Sequence, residues 1–245
     1  MPRYELLNNI AHRNLRVILR FGAGFGDQVA TVAAFPGEYA DLQREYPIFF
    51  QRDAGTGRFH SVALLGLERD ENLFLQDGRW NAAYLPGILA KGPFVIGFQQ
   101  QHVDGEPRNE PVIHVDLDHP RVSFTEGEPV FLPHGGNSPY LEQVIQVLRG
   151  IHQGAENGEA MLAALDAAGL IQPLELDVRL DDDHRVNLTG LHAIDRERLA
   201  ALDAPTLQRL HAAGHLEGAY LALASLYNIR RLMAEKQRRL RQQAG

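Results

Sequence analysis

From Asn14 to Arg20 apolar and polar positions alternate, with Leu15, Val17 and Leu19 on one side, the period-two pattern of a half-buried strand. Pro47–Phe50 and His60–Leu67 are apolar runs around Asp53-Ala54-Gly55-Thr56-Gly57, a glycine-containing connection of hairpin length. Asn72–Leu75 before Asp77-Gly78 reads as a strand entering a tight turn, and Phe94–Gln99, Val112–Leu117 and Val122–Phe124 are further strand candidates. Short helices are predicted at 38–45 and 84–90.

Beyond Pro133 the period changes. Ser138-Pro139 is an N-cap followed by proline at the first helical position, and Leu141, Val144, Ile145 and Leu148 recur at helical spacing. A second helix is expected over 158–168, ended by Gly169. Leu174–Leu180 and Arg185–Leu191 form a predicted hairpin around Asp181-Asp182-Asp183, a solvated turn or a docking point for a basic segment. Asp195 and Asp203 look like N-caps, and a long helix is expected from about Glu217 to the tail. Strands that do not alternate regularly with helices predict an α+β fold, with an antiparallel or mixed sheet in the N-terminal half and helices mainly in the C-terminal half. One domain over 1–245 is expected, strand-rich to 135 and helix-rich from 136, with no clear linker.

Composition narrows the chemistry. The 245 residues hold no cysteine, which excludes disulfides, cysteine-bound metals and thiol catalysis. A formal net charge of −7 argues against bulk nucleic-acid binding. Only two of the 24 basic residues are lysines, Lys91 and Lys236. The charge is uneven: residues 230–245 carry +5 and the remainder −12. No apolar run reaches the ~20 residues of a membrane span. The start has neither the basic region nor the apolar core of a signal peptide. The expected location is therefore the cytoplasm, with surface association left open.

Several short runs occur together in a set order. They are Tyr46-Pro47-Ile48-Phe49-Phe50, Val62-Ala63-Leu64-Leu65-Gly66-Leu67, Asn72-Leu73-Phe74-Leu75, Asp77-Gly78-Arg79-Trp80, Tyr84-Leu85-Pro86 and Pro93-Phe94. Further on stand Gly190–Asp195 and the stretch Leu207–Leu226, with Ala224-Ser225-Leu226. With these runs the chain, from about Asn14 to Leu232, resembles the bacterial SapC family, named after a surface-layer-associated protein. The resemblance implies a binding or assembly role and supplies no catalytic residues to carry over.

Four patterns are candidates for chemistry. His114 and Asp116, one residue apart on a strand, point to one face, as two facial ligands of a non-haem iron oxygenase do. His192, or His184, would be the distal ligand, with Fe(II) and 2-oxoglutarate as cofactors, Arg198 as the 2-oxoglutarate partner, and a peptide or protein substrate. Ordinary strand-surface residues are the bland alternative, under which no cofactor is expected. Gly22-Ala23-Gly24-Phe25-Gly26 lacks the Gly-x-Gly-x-x-Gly spacing of a dinucleotide loop and reads as a turn. Trp80, the sole tryptophan, and Tyr84 would line a ligand pocket or anchor the core. Arg238, Arg239 and Arg241, in a tail expected to be exposed after Met233, would meet an acidic surface on a protein partner or a second copy. A non-catalytic binding or assembly protein is the leading expectation and the oxygenase its alternative.

Overall fold

The computed structural model describes residues 2–103, 106–180 and 184–243. In chain order the strands are β1 (Tyr4–Leu6), β2 (Arg16–Val17), β3 (Thr31–Ala33), β4 (Ile48–Arg52), β5 (Phe59–Leu64), β6 (Leu75–Gln76) and β7 (Arg79–Trp80). Then come β8 (Phe94–Val103), β9 (Glu106–Asp116), β10 (Val122–Ser123), β11 (Glu128–Pro129), β12 (Ile171–Arg179) and β13 (Arg185–Ile194). The helices are α1 (Tyr39–Leu42), α2 (Gly87–Ala90), α3 (Pro139–Ala167), α4 (Arg196–Ala200), α5 (Ala204–Ala212), α6 (His215–Ser225) and α7 (Ile229–Gln243). The fold is α+β with antiparallel strand pairing, and the long helices follow residue 138.

Contacts divide the chain into two compact units, each built from two separated segments: 1–27 with 87–152, and 28–86 with 153–245. In the first unit a sheet of order β1-β9-β8 and a smaller one of order β10-β2-β11 surround one core. That core joins Phe94 and Val115 to Leu15, Val17, Val130 and Phe131, and to Leu141, Val144 and Leu148 of α3. The apolar spacing that predicted this helix is thus the stripe it buries. Ser138 caps it as expected, accepting the Leu141 amide at 3.2 Å.

The first unit also buries an ion pair that the sequence gives no local sign of. Arg121 and Asp27 are 5% and 3% exposed, and both oxygens of the Asp27 carboxylate accept from the guanidinium, at 2.6 and 2.7 Å. The guanidinium also donates to the carbonyls of Ile18 and Arg20 and lies 5.0 and 4.9 Å from the ring centres of Phe21 and Phe25. Asp27 in turn accepts the Gly22 amide at 2.8 Å. The glycine-rich run is therefore a short helical turn, Ala23–Phe25, tied down by a carboxylate and an arginine.

The second unit carries a sheet of order β12-β13-β4-β5-β3 and the hairpin β6-β7. At the hairpin turn Asp77 and Gly78 both have positive φ, 50° and 76°, the conformation that this dipeptide favours. The α6 helix packs on α1, β4 and β13. Ser225, at its end, accepts the Ile48 amide at 2.8 Å and donates to Ala222 O. Asp195 and Asp203 cap α4 and α5 as their positions predicted, accepting from Glu197, Arg198 and Thr206 amides.

Three expectations are corrected. The strand expected over 14–20 pairs only at Arg16–Val17. Two helices expected around residue 150 are one helix of 29 residues, α3, running through Gly150, Gly154 and Gly158. In the second unit a Cβ at Gly154 would lie 2.7 Å from Phe35 Cβ, and one at Gly158 3.1 Å from Pro36 Cδ. These glycines permit close packing of the helix instead of ending it. The long C-terminal helix is interrupted by a 3-10 turn, Leu226–Asn228, where the Asn228 amide side chain donates to Gln43 O at 2.8 Å. The expected turn at 181–183 lies outside the described residues.

Candidate functional site

The second unit places Trp80 and Tyr84 in one hydrogen-bonded chain of aromatic side chains. Trp80, on β7, is half-buried and donates from Nε1 to the Tyr46 hydroxyl at 2.8 Å. Tyr46 is fully buried and donates to Tyr84 O. The Tyr84 hydroxyl donates to Glu38 Oε2 at 2.8 Å. Burial raises both tyrosines above their ordinary value, and the Glu38 carboxylate adds to the rise at Tyr84, so both hydroxyls stay protonated donors. The Phe74 ring stacks on Trp80 with centres 5.9 Å apart and lies 4.5 Å from Tyr46.

Glu45 fastens this wall to α7. It accepts the amides of Ala83 and Tyr84, both at 3.1 Å, and pairs with Arg231 at 3.3 Å. Burial alone would push its carboxyl up, but the two amides and Arg231 outweigh burial and hold it below its ordinary 4.5. A carboxylate depressed in the folded state stabilises fully above its unfolded value and loses that contribution as pH falls through the folded value. Glu45→Gln is therefore expected to flatten the decline in melting temperature on acidification below about pH 4.5. Melting curves of both proteins across that range check this; equal slopes would refute it.

Against this wall lies a cleft of about 250 Å³ between the 73–81 segment and α7. Leu73, Phe74, Leu232 and Ala234 give it an apolar lining, and Asn81, Arg231, Glu235 and Arg238 make its polar rim. Arg231 lies 5.6 Å from the centre of the Phe74 ring. Glu235 pairs with both Arg238 at 2.7 Å and Arg239 at 2.9 Å. Burial would raise the Glu235 carboxyl, but the two guanidinia outweigh it and hold it low, so Glu235 stays ionised and stands against the two rim arginines, Arg231 and Arg238.

The tail differs from its expectation. It was expected to be free after Met233, yet Lys236 is 7% exposed and bonds Glu68 at 2.8 Å and Glu71 at 2.7 Å. Arg239 donates to Asn72 O, Leu73 O and Leu75 O at 3.2, 2.7 and 2.9 Å. Gln237 donates to Leu180 O at 2.5 Å. The basic residues facing inward are thus held by this chain's own carboxylates and carbonyls. Arg238 and Arg241 remain exposed, as expected.

His114 and Asp116 share one face of β9, as their spacing requires. The His114 ring lies over Gly97 of β8, where a Cβ would come within 2.6 Å of it. Asp116 Oδ1 accepts the amides of Arg3 at 2.9 Å and Asp118 at 3.1 Å. His192 belongs to the second unit, with its ring 4.9 Å from Phe59 and its buried Nδ1 unbonded. His184 and Arg198 are also in the second unit, where Arg198 pairs with Asp195. Among the described residues no three His, Asp or Glu side chains are grouped to hold a metal ion. Among the same residues no helix is long and apolar enough to cross a membrane.

The family model described as SapC matches residues 7–232. No curated protein and no solved structure matches the chain.

Proposed function

The chain belongs to the SapC family, and we propose that it is a binding or assembly protein that catalyses no reaction and takes up a protein partner, or a second copy of itself, in the cleft beside α7. The observation that carries this proposal is the cleft itself. Apolar side chains with a charged rim, backed by a wall whose polar atoms are already bonded to each other, suit uptake of a polypeptide segment. Such a wall is preorganised, so little ordering opposes binding.

Two measurements test it. A photo-crosslinking amino acid at Ala234, introduced in the source cells, is expected to give a covalent adduct with one defined polypeptide. Trp80, the sole tryptophan, stacks on Phe74 of the cleft, so occupancy is expected to shift its emission. Absence of any adduct, with Trp80 emission indifferent to the cellular extract, would refute the proposal.

A further inference from the structure

The outward stripe of α7 has the form of a receptor for one kind of segment. At 100° per residue, Arg230, Arg231, Ala234, Arg238 and Arg241 all fall within about 60° of the direction of Ala234. All five are exposed, whereas Leu232 and Lys236 on the opposite side are buried. Four cations therefore line one face, beside the apolar cleft that opens next to Ala234.

The charge on this face is not consumed within the chain. Glu45 and Glu235 pair with Arg231 and Arg238, but Glu235 is shared with Arg239. Among the described residues Arg230 and Arg241 have no carboxylate partner. The side chains of Arg231 and Arg238 are each 45% exposed, leaving donors free for an incoming carboxylate.

We propose that this face binds an acidic peptide segment of a partner protein, in which an aromatic or large apolar residue enters the cleft and carboxylates two positions to either side meet the arginines. The spacing follows from geometry. Arg231 and Arg238 are seven residues apart, about 10.5 Å along the helix. In an extended peptide, residues i, i+2 and i+4 point to one side and span about 13 Å. Flexible guanidinium arms take up the difference, and the Arg231 guanidinium at the cleft rim offers a cation for an aromatic anchor. A membrane surface would require bulky apolar residues among the charges, and the uncharged residue of this stripe is the small Ala234. Nucleic acid is opposed by the net charge of −7. The inference rests on the cleft being a binding site and adds the chemistry of its occupant.

Fluorescence anisotropy on the full chain, with a dye-labelled Glu-Ser-Phe-Ser-Glu peptide, tests it. Saturable binding is expected, weakened by salt. The peptides Lys-Ser-Phe-Ser-Lys and Glu-Ser-Ala-Ser-Glu are each expected to bind at least about fivefold more weakly, the scale of two exposed ion pairs or one buried side chain. Arg230→Glu with Arg241→Glu, neither of which breaks a bond within the chain, is expected to weaken binding about tenfold and leave the melting temperature in place. Ala234→Trp, which fills the cleft, is expected to abolish it. Equal binding of the lysine or alanine peptide would overturn the inference. So would displacement of the peptide by heparin, single-stranded DNA or phosphatidylserine vesicles as readily as by unlabelled peptide, which marks a plain anion patch. An adduct from Ala234 whose contact segment is not acidic would overturn this inference and leave the binding function standing; no adduct at all removes that function itself.

Discussion

Arg121→Ala is expected to destabilise the protein by about 3–5 kcal/mol, the cost of leaving a buried charge without its partner. Asp27 would keep its carboxylate inside the first unit beside the Gly22 amide without the guanidinium, and the carbonyls of Ile18 and Arg20 would lose the same donor. Phe21 and Phe25 would also lose the cation that lies against their rings. Desolvation offsets much of the attraction within such a pair, so its value lies in the penalty for breaking it. The double variant Asp27→Leu, Arg121→Met should accordingly recover most of the loss. Urea unfolding of the three variants measures this. Should the double variant be no better than the single one, the pair has a role beyond mutual neutralisation.

Deletion of residues 234–245 is expected to cost about 4 kcal/mol and to lower the melting temperature by roughly 8–16 °C for a chain of this length. The sequence alone, which shows a tail of thinning apolar pattern and rising positive charge, points to an unchanged transition. The structure reverses that expectation. Without Lys236, the Glu71 carboxylate keeps the amides of Leu67 and Glu68 but loses its counter-charge. Without Arg239, the carbonyls of Asn72, Leu73 and Leu75 lose a charged donor, and that segment carries the buried Leu73 and Phe74. Thermal denaturation followed by circular dichroism tests this directly. Arg238→Ala with Arg241→Ala is the control, expected to leave the transition within about 1 °C, since exposed pairs contribute little. A truncated protein that melts like the full chain would show that these bonds do not hold the segment.

The candidate cleft was half legible. Trp80 and Tyr84 could be singled out because a lone tryptophan after a tight turn is conspicuous, and the arginines of α7 because they break the charge balance. Glu45, Phe74 and Arg231, which join the two groups, carry no such mark. Glu45 and Arg231 are 186 residues apart, and their meeting depends on where the helix docks.

The sequence by itself determined what short-range physics decides. The caps at Ser138, Asp195 and Asp203, the turn at Asp77-Gly78 and the shared face of His114 and Asp116 depend on a few neighbouring residues, and they stand where the pattern put them. Family membership was legible too, from runs spread along the chain. Tertiary structure alone decided the rest. Gly154 and Gly158 look like helix breakers until Phe35 and Pro36 are seen pressed against them. Asp27 and Arg121, 94 residues apart, look like two surface charges until burial makes each indispensable to the other. Along α7, six of 15 residues are basic, and only the docked helix separates them into two sets. Lys236 and Arg239 are neutralised inside because leaving them unpaired there would be costly, whereas Arg230, Arg238 and Arg241 are kept outside because water solvates them at no such cost.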